Sequence, residues 1–331
     1  HMVAAGYTTG AMFVLGISSY YLLKNRDVAF ARRSFAIAAA FGMASILSVL
    51  VLGDESGYET GEVQKVKLAA IEAEWNTEPA PASFTLFGIP NQEEMRTDYA
   101  IKIPYALGII ATRSLDGQVT GLKDLKSEHE LRVRNGMTAY DLLTKLQSGD
   151  KSDDTRARFD EVKQDLGYGL LLKRYTPNVT DATDEQIKAA VDDSIPQVLP
   201  LFFAFRIMVA CGILMLVLIG LAFYDSTRHK IGERKWLLKA LLYGIPLPWI
   251  AIEAGWFVAE YGRQPWTIAE MLPTYVSASN IPASEIWFSL IGIFLFYTVL
   301  LIIEMYLMFK YARLGPSSLK TGKYHFEQSK A

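Results

Sequence analysis

Five long runs of apolar residues constrain this chain more than any other feature. A helix needs about 20 apolar residues to cross the hydrocarbon of a bilayer. The segments 3–23, 34–52, 198–224, 236–261 and 286–309 reach that length or nearly so. The second carries no charge. The third is interrupted only by Arg206, the fourth carries Lys239, Glu253 and Glu260, and the fifth carries Glu304 near its end. Buried helices of soluble proteins are rarely this long and this apolar. The pattern predicts an all-α fold, a polytopic transmembrane bundle of five spans. A large extracytoplasmic loop domain separates spans two and three. The division expected is 1–52 for two spans, 53–197 for the outer segment, 198–309 for three spans and 310–331 for a cytoplasmic tail.

The loops orient the bundle. Lys24, Arg26, Arg32 and Arg33 stand against Asp27 between the first two spans. Arg228, Lys230, Arg234 and Lys235 lie between spans three and four, and Lys310, Arg313, Lys320 and Lys323 follow span five. With five spans these three segments share one face, which the positive-inside rule makes cytoplasmic. The amino end and residues 53–197 are then outside. A net charge of -2 argues against a nucleic-acid partner. The single cysteine, Cys211, rules out an internal disulfide. No charged n-region of a signal peptide opens the chain. It enters an apolar segment at once, so it reads as a piece of something longer. The opening His-Met reads equally as native sequence or as a pair left by cloning.

The outer segment is polar and too long for a linker. GDESGYE (53–59) reads as a Gly-rich acidic turn, followed by an amphipathic helix over 62–75 that Pro79 and Pro81 end. Helical spacing recurs over 128–146, 155–166 and 184–190. YGLLLKRY (168–175) is a short apolar patch of either type.

Charge inside a span costs on the order of 2.5–3.5 kcal/mol, so such residues face protein, pair, or hold a cofactor. Arg206 lies about eight residues, roughly 12 Å, inside the outer end of span three. Met208 follows it. Glu260 sits at the outer end of span four and His1 at that of span one. One reading makes Arg206 and Glu260 a snorkelling or paired set, with Met208 as filler. The other makes His and Met the axial pair of a low-spin haem. Arg206 then lies near the haem, and Glu260 serves a second centre. Lys67 and Glu72, five apart, differ by about 140° around a helix. A shared ligand would therefore need a bend or a helix end.

GDESGYE (53–59), VQKVKLAAIEAEW (63–75), FRIMVACG (205–212), GWFVAEYGRQPW (255–266) and ARLGPSSLKTG (312–322) together resemble subunit I of bacterial cytochrome bd ubiquinol oxidase, of the kind with a long quinol loop. The resemblance extends along essentially the whole chain, and HMVAAGY at its start matches the family's histidine segment. It implies that His1 is native and that His1 and Met208 are the axial ligands of haem b558, with Arg206 beside it. It also implies that Glu260 ligates haem b595, with Trp256 and Arg263 close by, and that Lys67 and Glu72 serve quinol oxidation. Haem d, where O2 is reduced, takes its axial ligand from family helices expected to precede this chain. The implied partners are subunit II, small accessory membrane subunits and lipid, and the implied location is the bacterial inner membrane. Ubiquinol oxidation outside, with protons for water taken from inside, separates charge without a pump. A membrane sensor with an outer ligand domain and a transporter are the competing readings; no inverted repeat favours the latter.

Overall fold

The computed structural model describes residues 1–80, 82–105, 107–108, 113–114, 118–149 and 152–316. The final stretch 317–331, including SSLKTG of the family-like tail, lies outside the described residues. In chain order come α1 (Met2–Leu23), α2 (Val28–Val63), α3 (Lys65–Glu72), β1 (Phe84–Asn91), β2 (Arg96–Ile103), α4 (Leu122–Gln147), α5 (Asp153–Val162) and α6 (Leu166–Leu171). There follow α7 (Asp184–Asp193), α8 (Val198–Thr227), α9 (Lys235–Tyr243), α10 (Leu247–Tyr261), β3 (Trp266–Ile268), β4 (Leu272–Pro273) and α11 (Ala283–Leu314). The fold is mostly helical. Among the described residues four helices are long and apolar enough to cross a membrane, and α9 with α10 makes a fifth span if that bent pair is counted as one.

Span four is therefore broken: its two helices meet at 41°. Gly-Ile-Pro-Leu-Pro (244–248) explains the break, because proline lacks the N–H for the preceding turn and disfavours the helical region for the residue before it. In contrast, GDESGYE is not a turn but the continuation of α2. Glycine weakens a helix by only about 1 kcal/mol and there is no proline. Ser56 and Thr60 bond back one turn, to Leu52 O at 2.7 Å and Ser56 O at 2.8 Å.

The chain divides into two compact units. One comprises residues 1–50, 211–249 and 279–331. Within it Gly16 lets Leu241 O come to 3.1 Å of where a Cβ would stand, and Gly42 packs on Ala11 and Ile219. Tyr21 donates to Ala312 O at 2.8 Å, and Arg26 donates to Arg313 O at 2.8 Å. Helix α11 buries none of its residues. An all-round apolar helix of this kind suits lipid or a partner helix.

The other unit comprises residues 51–210 and 250–278. One core gathers Ala69, Ala70, Ile71, Trp75, Leu122, Leu125, Val198, Leu201, Phe202 and Val258 around α3. A second joins Val133 of α4, Tyr168 and Leu171 of α6, Ile187 and Ala190 of α7, and Trp266. YGLLLKRY is thus helical, as α6 and a following short turn of 3₁₀ helix. Helix α7 starts with a capping box between Thr183 and Gln186. Among the described residues two small antiparallel sheets accompany the helices: β1 with β2, from Phe84↔Ile103 to Asn91↔Arg96, and β3 with β4. Strand β2 is mostly exposed on both faces, so its sequence lacks the alternation that marks a strand.

Candidate functional site

Helix α3 carries the two loop residues singled out above, and they face different helices. Lys67 Nζ donates to Ala259 O of α10 at 3.1 Å. Its stem lies on Gly262, where a Cβ would come within 3.1 Å of Lys67 Cγ. Burial pushes the Lys67 ammonium down from its usual range. Arg263 adds to the shift and Glu260 opposes it. Glu72 instead faces α8 and accepts from Arg206 Nη2 at 3.1 Å. The separation of about 140° is thus real. The two residues do not converge on one point; each ties α3 to a different apolar helix.

Arg206 is the hub of this arrangement. Nη1 donates to Ile71 O at 2.8 Å and to Phe202 O at 3.1 Å. Nε donates to Thr85 O at 3.0 Å and Leu86 O at 3.2 Å, and Nη2 also reaches Thr85 O. The guanidinium carbon stands 3.3 Å from the Phe202 ring centroid. The Glu72 carboxyl, 3% exposed, is pushed up to about 7 by burial, against the opposing charge and hydrogen bond of Arg206.

Met208 lies half-buried two residues beyond Arg206. Its sulfur sits over Gly255 of α10, where a Cβ would stand 2.9 Å from Sδ. Farther along α10, Trp256 is 64% exposed. Glu260 pairs with Arg263 one turn on, and Arg263 Nε is buried with no hydrogen-bond partner among the described residues. Phe257 and Tyr261 stack at 4.8 Å. Lys67, Glu72, Arg206, Met208, Trp256, Glu260 and Arg263 all fall in the unit of residues 51–210 and 250–278. His1 is exposed at the N-cap of α1, in the other unit. Glu253 is exposed.

The sequence reading missed two further features. Glu74, two residues after Glu72, is equally buried. In α4, His129 lies in a buried network beside a cavity of about 30 Å³ that Lys67 and Arg263 also line. Ser194 Oγ donates to Val191 O at 2.6 Å, so His129 Nδ1 donates to Ser194 Oγ at 2.7 Å. His129 Nε2 then accepts from the Tyr168 hydroxyl at 3.1 Å. Arg132 donates to Tyr168 at 3.2 Å and is held by Asp165 and Glu270, both at 2.7 Å. Burial, helped by Arg132, pushes His129 down to about 4. Its position was legible: it continues the buried stripe Leu122, Leu125, His129, Val133, Gly136 of α4.

Long apolar helices and, within one compact unit, an arginine–carboxylate hub define a multi-span membrane protein. Among known families the profile of the cytochrome bd terminal oxidase subunit I family matches residues 1–316. The chain belongs to that family. It is similar to cytochrome bd-II ubiquinol oxidase subunit 1 of Escherichia coli K12, at 49% identity over 97% of this chain and 62% of that protein. It is also similar to cytochrome bd ubiquinol oxidase subunit 1 of Bacillus subtilis, at 28% identity over 95% of this chain and 56% of the other. The chain thus spans about three fifths of the length of these curated relatives. The solved structure of bd oxidase from Geobacillus thermodenitrificans shares the fold, with a TM-score of 0.66 at 24% identity, covering 96% of this chain and 57% of that one.

Proposed function

We propose that this chain is part of a terminal oxidase subunit of a bacterial inner membrane, taking electrons from ubiquinol for the reduction of O2 to water and adding to the proton-motive force without pumping. Family membership, and the placement of seven family-like residues on α3, α8, α10 and just past the end of α10 within one compact unit, support this reading. The residues fit haem. Met208 offers a thioether above a glycine, and Arg263 offers a buried N–H with no partner among the described residues, beside the Glu260 carboxylate. Among the described residues no three of His, Cys, Asp and Glu gather to hold a bare ion. A porphyrin brings its own four nitrogens, so one or two protein ligands suffice.

On this reading His1 and Met208 hold haem b558 with Arg206 nearby, Glu260 holds haem b595 with Trp256 and Arg263 beside it, and no residue here is assigned to haem d. When bound, the haems supply the electron route from quinol to O2. The chain's own residues handle the protons. Quinol oxidation releases protons outside, and Glu72, balanced near neutrality, can take one up and let it go. Arg206 holds that carboxylate in place, and Lys67, bound to the end of α10, places a cation on the other side of α3. The amino end and residues 53–197 are placed outside and the tail inside, supported by the basic loops. The division into 1–52, 53–197, 198–309 and 310–331 follows from that topology. The unburied α11 suits lipid, oxidase subunit II or small accessory subunits. In the full oxidase, Met208→Leu removes the low-spin b band from the reduced-minus-oxidised spectrum. An unchanged band sinks the ligand assignment, and absence of any haem band in the wild type sinks the oxidase reading.

A further inference from the structure

Glu74 is a buried acid that the reading above does not use. It is 3% exposed, as Glu72 is. Among the described residues its carboxyl makes no hydrogen bond and no ion pair. An unpaired carboxylate in such a place is costly. Two consecutive residues of the same parity on a continuing helix would point about 200° apart. Here Ala73 ends α3 in the left-handed region, at φ 53° and ψ 41°, and both carboxyls on either side of it are buried. Beyond them lies Glu78. It is bound to Lys102 of β2 and to the Ser83 N–H at 3.1 Å, and its side chain is partly exposed.

We infer that Glu74 is a proton relay, accepting from Glu72 the proton released by quinol and passing it toward Glu78 and the outer water. The inference rests on the quinol-oxidising reading. In the step, the O–H bond of the Glu72 carboxyl breaks and one forms on the Glu74 carboxylate. The pair exchanges a proton and no electrons; those leave separately to the ferric haem of the proposed route. Glu74 is suited to holding a proton near neutrality. Burial raises it to about 7, with Glu78 and Glu72 adding to the shift and Lys102 opposing it. The other charged groups around this turn are engaged elsewhere. Arg206 of α8 is bound to Glu72 and to backbone carbonyls, Lys123 of α4 to Asn76 at 2.9 Å, and Asp124 of α4 to Thr77. Burial raises Glu78, but the hydrogen bonds from Lys102 and the Ser83 N–H together outweigh it and hold the carboxyl below its usual range, so it marks the solvent end of the path as an anion.

The test uses the full oxidase complex with ubiquinol as substrate. Glu74→Gln keeps the size and removes the proton site. Turnover then falls about tenfold or more with KM near the wild-type value, and the activity profile loses an inflection near pH 7. Glu74→Asp keeps a carboxyl and recovers most of the turnover, with a shifted inflection. Wild-type turnover and pH profile in the Gln variant overturn the relay. So does equal impairment of Gln and Asp with haem content intact, which marks a packing role. Should the Gln complex fail to assemble, the Asp variant decides alone: a shifted inflection supports the relay and an unmoved one overturns it. A wild-type complex that does not oxidise ubiquinol sinks the proposed function instead, which keeps the two failures apart.

Discussion

Replacing Arg206 by Met tests the hub with a magnitude that depends on pH. The substitution keeps much of the apolar bulk and removes the partner of Glu72 together with the donor to Ile71 O, Thr85 O and Leu86 O. Removing one member of a buried pair costs about 3–5 kcal/mol. Part of that cost is a titration. The Glu72 carboxyl already stands at about 7 instead of 4.5, and Arg206 is what keeps it from rising further. An acid raised on folding contributes stability that is present at low pH and is lost as pH rises through its folded value. At pH 8 the wild type recovers part of this loss by ionising Glu72 against Arg206. The variant, with its carboxyl held protonated, does not. One pH unit above the wild-type value the difference is about 1.4 kcal/mol. The assay is loss of haem absorbance from the purified oxidase on heating, at pH 6 and at pH 8. Arg206→Met should be destabilised at both and by about 1.4 kcal/mol more at pH 8. In the Glu72→Gln background the added loss should vanish. Equal destabilisation at the two pH values, or a pH dependence that survives Glu72→Gln, refutes the reasoning.

Gly255→Ala sets a methyl 2.9 Å from the Met208 sulfur. Because the contact is near the end of a flexible side chain, stability should fall by less than about 1–2 kcal/mol. The low-spin haem band and its reduction potential should nevertheless move; an unaltered spectrum would separate Met208 from the iron. His129 is held neutral, at about 4 against 6.5. A base lowered on folding contributes stability that is present above its unfolded value and lost as pH falls through the folded one. About 3 kcal/mol should therefore disappear between pH 6.5 and pH 4. Hydrogen exchange of α4 amides across that window measures it, and His129→Gln should flatten the response.

The apolar runs announced the four described helices that are both long and apolar enough to cross a membrane, together with the bent pair α9 and α10, since length and charge decide that question. Helical spacing over 128–146 became α4. Local chemistry misled where tertiary contacts decide. GDESGYE has the composition of a turn, yet Arg113 binds Asp54 and Glu55 and lies over the Tyr58 ring, side chains that one helix aligns. The break at 244–248 is written in the sequence as two prolines, Pro246 and Pro248, inside the apolar run 236–261. At the site, spacing alone led only to the expectation that His1, Arg206, Met208 and Glu260 cluster toward one end of their spans; Arg206, Met208 and Glu260 fall in one compact unit and His1 in the other, and family resemblance supplied the expected roles. Glu74 was not legible because its burial depends on a left-handed alanine, a conformation that nothing in the residue types advertises.

The cost of a guanidinium in an apolar helix now has a structural account. An unsolvated Arg206 on α8 would cost on the order of 2.5–3.5 kcal/mol. The polar inserted segment has the complementary deficit. Helix α3 ends at Ile71 and Glu72 with orphan carbonyls, as every helix does, and Thr85 and Leu86 of β1 lie at an irregular stretch of the hairpin. Arg206 meets these carbonyls together with one carboxylate, so each side satisfies groups the other leaves open. Lysine could not reproduce this, because its three donors radiate from one nitrogen, whereas the planar fork reaches α3 and β1 at once. The charge in the apolar helix is what docks the inserted segment. It does so at the residue pair where a proton near neutrality can be held, which places the docking and the proposed chemistry on the same side chain.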